Sequence, residues 1–140
     1  MKNKIDAVKA FHEAFKIGYR TTPKANLGFA KNKRRFDLMK EENEEYYQAA
    51  QSNDLVEVAD ALGDMLYILC GTIIEHGMQH KIESDFTELQ RSHMSKLGSD
   101  GNPIYSADGQ DMKGPEYFKP HINAILEALL DNIESPDTSV

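Results

Sequence analysis

The stretch "KEENEEYYQAAQSNDLVEVADALGDMLYIL", residues 40–69, is dense in carboxylates from Glu41 to Asp64 and then runs straight into apolar side chains. Both halves have helical spacing. From 33 to 51 there is no Gly or Pro and helix formers dominate; the run stops at Ser52-Asn53-Asp54. Asp54 can cap a second helix from Leu55 to about His76, where Gly77 supplies the left-handed residue that commonly ends one. On the first helix Leu38, Glu42, Glu45 and Ala49 fall on one line at steps of four, three and four, with Glu41 one position to the side. On the second, Leu55, Val58, Leu62, Met65 and Leu69 form the main apolar stripe, with Glu57, Asp60 and Asp64 on a line roughly opposite. From Met65 to Ile74 that helix is apolar nearly all round, as a central helix would be, so Asp64 is expected to be drawn inward.

Upstream, Ile5, Val8, Phe11 and Phe15 recur at spacings of three and four, which predicts a helix ending before Gly18. A polar connection through Pro23, Asn26 and Gly28 leads to the basic group Lys31, Lys33, Arg34 and Arg35. Downstream, Asp85 with Glu88 three residues on has the form of a capping box, and Phe86, Leu89, His93 and Leu97 mark one helix face until Gly98. Two Asp-Gly pairs, Pro103, Gly114-Pro115 and Pro120 make 98–120 a loop whose aromatics predict order. A last helix is predicted over 121–134, and the tail 135–140 is expected to be disordered. No segment alternates as a strand. The fold class expected is all-α: an antiparallel four-helix bundle core with an additional terminal helix and an ordered loop at 98–120, one domain over 1–134.

The formal net charge of −7 lacks the basic footprint of a nucleic-acid-binding protein, so none is expected as a partner. Cys70 is the single cysteine and sits in an apolar run, which excludes an internal disulfide and predicts a small packed hydrophobe in a reduced setting. No apolar run reaches the roughly 18 residues of a membrane span, and the N-terminal stretch lacks a signal peptide's apolar centre. A soluble, cytoplasmic protein without a membrane partner is expected.

The acidic lines need compensation, because an unpaired carboxylate drawn toward a core costs several kcal/mol. Arg34 and Arg35 are too few to supply it. Glu-rich faces are most often simply solvated. Two facing helices that both present carboxylates one turn apart can instead hold a divalent cation through hard oxygen ligands, which suits Mg²⁺ or Mn²⁺.

Three blocks, "EENEE" at 41–45, "EVADALGDMLYILCGT" at 57–72 and "RSHMSKLGSDGNPIYSADGQDMKGPEYFKP" at 91–120, together resemble the MazG-like all-α nucleoside triphosphate pyrophosphohydrolases, a superfamily that includes phosphoribosyl-ATP pyrophosphohydrolases and dimeric all-α dUTPases. The resemblance implies a four-helix catalytic core whose carboxylates bind Mg²⁺ and which cleaves a nucleoside triphosphate between its α and β phosphates, as in nucleotide-pool house-cleaning. The family's E-E-x-x-E group becomes Glu41, Glu42 and Glu45, and the aspartate of its E-x-x-D group becomes Asp64. Several branches carry a glutamate three residues before that aspartate, where this chain has Ala61; Glu57 and Asp60 satisfy the pattern one turn earlier, and Asp60 is inferred to take over the ligand role. The metal set is then Glu42, Glu45, Glu57, Asp60 and Asp64, with Glu41 or Glu42 as the base that takes the proton of the attacking water. His93 stands where relatives commonly show an asparagine at the nucleotide. Lys96 and Lys113 are candidates for phosphate oxygens, Tyr117 for packing on the nucleotide, and Arg35 for a contact the resemblance favours in the basic group. Apolar residues left over from one short bundle, and the assemblies of the relatives, imply a homodimer or homotetramer.

Rival functions fit less well. A di-iron bundle would want Glu-x-x-His on two helices, and neither Glu42 nor Glu45 has a histidine at that offset. An EF-hand fails at Asp100–Pro103, where Gly and Pro occupy ligand spacing. A non-catalytic nucleotide-binding or interaction module would keep these carboxylates at a repulsive cost with nothing gained.

Overall fold

A computed structural model describes residues 1–134; the tail 135–140 lies outside the described residues. Its elements in chain order are α1 (Lys2–Ala14), α2 (Phe29–Gln51), α3 (Leu55–Glu75), α4 (Ile82–Met94), a two-residue antiparallel ladder of β1 (Ile104–Tyr105) with β2 (Asp111–Met112), and α5 (Ile122–Glu134). The class is all-α. From the sequence 1–134 is expected to be one domain; the chain contacts group it into two compact units, Met1–His80 and a second beginning at Lys81. In the first unit α3 packs on α2 and on α1; in the second α4 packs on α5. No described helix is long and apolar enough to cross a membrane.

The first unit is organised by the joint between α2 and α3. Asn53 adopts the left-handed conformation (φ 54°) that asparagine tolerates better than most residues, and Asp54 N–H donates to Ala49 O at 3.0 Å, so the chain reverses within three residues. The Asp54 carboxylate accepts the Glu57 amide at 3.1 Å, which caps α3 as its sequence predicts. The helices then run antiparallel in a register set by Arg35. Its Nε donates to Thr72 Oγ1 (3.0 Å), its Nη2 to Ile68 O (2.9 Å), and its Nη1 stands 2.8 Å from Glu75 Oε2. Arg35 and Glu75 are both buried. Their contact is close but poorly aligned, leaving Glu75 Oε2 without a hydrogen bond in the strict sense.

α1 closes this pair from one side through Ile5, Val8 and His12, all buried. Gly71 makes the approach possible: a Cβ there would lie 2.6 Å from Arg35 Nη2 and 2.9 Å from His12 Nε2. Burial lowers the His12 pKa, against the Gly18 carbonyl near Nδ1 and the Glu75 charge, which raise it. The chain between α1 and α2 is then laced to the end of α3. Arg20 N–H donates to Ile74 O (3.0 Å), Lys24 N–H to His76 O (2.9 Å), and Gln79 Nε2 to Arg20 O (2.7 Å). Gly77 has φ 71°, as predicted, and a Cβ on it would collide with the Thr22 carbonyl.

Two starts differ from expectation. α2 begins at Phe29, four residues early, because Gly28 (φ 96°) turns the chain and Asn26 and Asn32 take up the free amides of Gly28 and Leu27. α4 begins at Ile82 with Lys81 at its cap position and no side-chain capping bond; Asp85 is a turn inside the helix, so it is not the cap. The 98–120 loop is ordered as expected. Ser92 Oγ donates to Phe118 O (2.9 Å), Ser95 Oγ accepts Phe118 N–H (3.2 Å), and the Arg91 guanidinium lies 4.3 Å from the Phe118 ring centre.

Removing one partner of a buried pair strands the other charge. Arg35→Met should therefore lower unfolding free energy by about 3–5 kcal/mol in urea titrations. Adding Glu75→Leu to that variant should restore most of the loss, which an Arg35 role confined to substrate contact would not produce.

Candidate active site

The register carries the acids with it. Glu42 lies two turns beyond Arg35 on the same side of α2, and Asp64 one turn before Ile68 on α3, so the antiparallel packing sets them opposite each other. Glu42 is half-buried, and its Oε2 is out of solvent with no hydrogen-bond donor. Desolvation, a hydrogen bond with Glu45 and the charges of Glu45, Asp64 and Glu41 push its pKa up to about 7. Near neutrality Glu42 therefore still holds part of its proton, with loss of solvent at its carboxyl the first cause.

The expected inward acid and the observed one are different residues. Asp64 is exposed, and Glu42 is the carboxylate drawn in. The Asp64 side chain stays in solvent, whereas Glu42 Oε2 is withdrawn from it between α2 and α3. Beside it, a hollow of about 370 Å³ opens where α2 hands over to α3, bordered by Glu45, Gln48, Asp54, Glu57 and Asp60. Ala61, 1% exposed, also lines it. With a methyl at that position, the hollow stays open toward Glu57 and Asp60. Glu41, Glu45, Glu57 and Asp60 are exposed.

Glu41, Glu45 and Asp64 stand within electrostatic range of Glu42, and Glu57 and Asp60 share the hollow with Glu45, but the acids do not form a finished ligand cage. Among the described residues, no three of His, Cys, Asp and Glu are grouped closely enough to hold a metal ion as they stand. The donor set is nonetheless all hard oxygen, on side chains that are mostly free to rotate, around one stranded buried oxygen that lacks a positive partner.

Arg35 is corrected. It is 5% exposed and its guanidinium is spent on Thr72, Ile68 and Glu75, so it is a structural cation of the core and not a substrate contact. Glu75, its counter-charge, and Gly71, which lets it in, were not singled out from the sequence; a lone acid closing an apolar run, and a glycine inside one, were the available signals. The remaining substrate candidates all lie in the second unit. His93 is exposed on the last turn of α4, and Lys96 follows that helix, its carbonyl accepting Gly114 N–H at 2.8 Å. The Lys113 Nζ lies 4.7 Å from the centre of the Tyr117 ring, so these two candidates face each other.

No curated protein matches the chain. A family model described as phosphoribosyl-ATP pyrophosphohydrolase matches residues 8–93, from the buried face of α1 to the last turn of α4. The match takes in every carboxylate considered above and His93, and ends before Lys96, Lys113 and Tyr117. It spans more than half of the chain, over the helices that build the acidic seam: the protein belongs to the phosphoribosyl-ATP pyrophosphohydrolase family and is a hydrolase of the nucleotide pyrophosphohydrolase type.

Proposed function

We propose that the acidic seam cleaves the α–β phosphoanhydride of a nucleoside triphosphate with Mg²⁺, releasing the nucleoside monophosphate and pyrophosphate, as a cytoplasmic house-cleaning activity. One observation supports this above the rest: Glu42 Oε2, buried and without a donor, raises the proton affinity of its carboxyl to near neutrality and offers a cation a place to replace that proton. Mg²⁺, or Mn²⁺, would be held by Glu42, Glu45, Asp60 and Asp64 with Glu57 at the edge, and supplies charge neutralisation for the polyphosphate.

The chain's own part is to orient and to move protons. Glu45 and Asp60 border the hollow that receives the triphosphate, and the short turn at 52–54 holds their helices at a constant separation. Whichever of Glu41 and Glu42 is not spent as a ligand takes the proton of the attacking water, a task for which a carboxylate titrating near pH 7 is well matched. As the α–β anhydride breaks, the departing oxygen takes the bond's electron pair and leaves as an oxyanion whose charge the cation would neutralise, so no strong acid is required opposite the base.

The family description favours a second substrate, phosphoribosyl-ATP, which carries the same α–β anhydride and would leave the same pyrophosphate. Incubation with Mg²⁺ and, in turn, each nucleoside triphosphate, each deoxynucleoside triphosphate and phosphoribosyl-ATP should yield pyrophosphate and no single phosphate. Turnover of phosphoribosyl-ATP alone would assign the second substrate. Release of single phosphates would overturn the chemistry, and metal-dependent nucleotide binding without turnover would identify a non-catalytic module. Glu45→Ala and Asp64→Ala should each lower turnover by about 100-fold or more, with the helical circular dichroism unchanged.

The raised Glu42 pKa has a thermodynamic sign. Between its ordinary value of 4.5 and about 7, the folded state holds a proton that the unfolded chain has released. Metal-free stability should therefore fall as pH rises through that window. Glu42→Gln should flatten this part of the profile in thermal melts. Saturating Mg²⁺ should remove the loss in the parent protein and leave the already flat profile of the variant unchanged.

A further inference from the structure

The acidic hairpin has an oppositely charged far end. Lys31 stands eleven residues before Glu42 on α2, and Glu75 eleven residues after Asp64 on α3. At the rise of a helix, each lies about 16 Å from its acid and near the same side of its helix. There a hollow of about 140 Å³ opens among the chain that follows α1, the start of α2 and the end of α3. Arg20, Lys24 and Lys31 ring it, Leu27 gives it an apolar wall, and Glu75, 6% exposed, closes it from within.

The cations here are not spent on the fold. Among the described residues, neither the Lys24 nor the Lys31 ammonium has a hydrogen bond or an ion pair. Lys31 Nζ reaches across to the α1–α2 connection, 3.3 Å from where a Cβ on Gly18 would stand. Arg20 holds the Thr22 carbonyl and hydroxyl through Nε and Nη2, which steadies the guanidinium and leaves Nη1 uncommitted. The start of α2 adds to the positive field. It has no acid in its first turn and no side-chain cap, and the amides of Phe29, Ala30 and Lys31 have no acceptor among the described residues.

Such a ring selects an anion, and Glu75 narrows which one. Its charge is matched by Arg35 Nη1 at 2.8 Å, yet its Oε2 accepts no hydrogen bond. A fully deprotonated oxyanion such as sulfate would set a lone pair against that oxygen. Hydrogen phosphate keeps a P–OH throughout the neutral range and can donate it.

We propose that this hollow binds a phosphate group that retains one proton, its charged oxygens on Arg20, Lys24 and Lys31 and its P–OH donated to Glu75 Oε2. The room suits it, since 140 Å³ holds about four or five waters or one tetrahedral oxyanion. Arg35 is buried between this hollow and the acids, so the site is separate from the one that receives the triphosphate and does not rest on the reaction assigned there. Because Glu75 also holds Arg35, an occupant ties the stability of the hairpin to the phosphate concentration.

Calorimetric titration of the full chain with sodium phosphate, without Mg²⁺ and at constant ionic strength near pH 7.5, tests this. One phosphate should bind per chain, and sulfate about tenfold more weakly or less well still. Lys31→Ala should weaken phosphate by a similar factor, whereas Lys33→Ala, which removes the same charge from a lysine paired with Asp37, should not. No saturable binding at millimolar phosphate, equal affinity for sulfate, or an equal loss in the two variants would each overturn the proposal. At about pH 6 a nucleoside monophosphate keeps the same proton. Displacement of phosphate by AMP there, lost in Lys31→Ala, would identify a nucleotide as the source of the group; failure of AMP to displace it would identify the free ion.

Discussion

A single buried guanidinium sets the geometry on which the candidate chemistry depends. Arg35 reaches three groups spread over two turns of α3, and this fixes the two helices against sliding by one residue or by one turn. The consequence is felt two turns away, where the same register sets Glu42 within electrostatic range of Asp64. A hydrophobic seam of Leu and Ala alone would tolerate neighbouring registers at small cost, whereas a charged group that needs three partners does not. Gly71 and His12 extend the constraint to α1, because the guanidinium fits only where α3 has no side chain.

Much of this was legible in the sequence. The extent of α3, its Asp54 cap and its Gly77 terminus follow from local chemistry and are observed as such. The starts of α2 and α4 were misplaced because neither carries a capping side chain: a left-handed glycine opens one and a lysine the other. The acids could be assigned to facing helices by period alone, yet which of them turns inward could not. That choice depends on tertiary packing, and hydropathy along α3 does not encode it.

Arg35 shows the deeper limit. Within Lys31–Arg35 it looks like one more solvated cation, and its counter-charge lies forty residues downstream. Only the tertiary register joins them. The family resemblance is read from three blocks together, at 41–45, 57–72 and 91–120; the family match over 8–93 covers the first two and only the start of the third. The matched range holds the acid-bearing helices, and beyond it Lys113 lies against the Tyr117 ring.

All the carboxylates of the candidate centre come from one helical hairpin, Phe29–Glu75, closed by a connection of three residues. In a hairpin so short-linked, an insertion at the bend would part the acids and a deletion would twist them out of line. The separation of the acids is thus fixed locally by three residues of chain, independently of what packs around the hairpin.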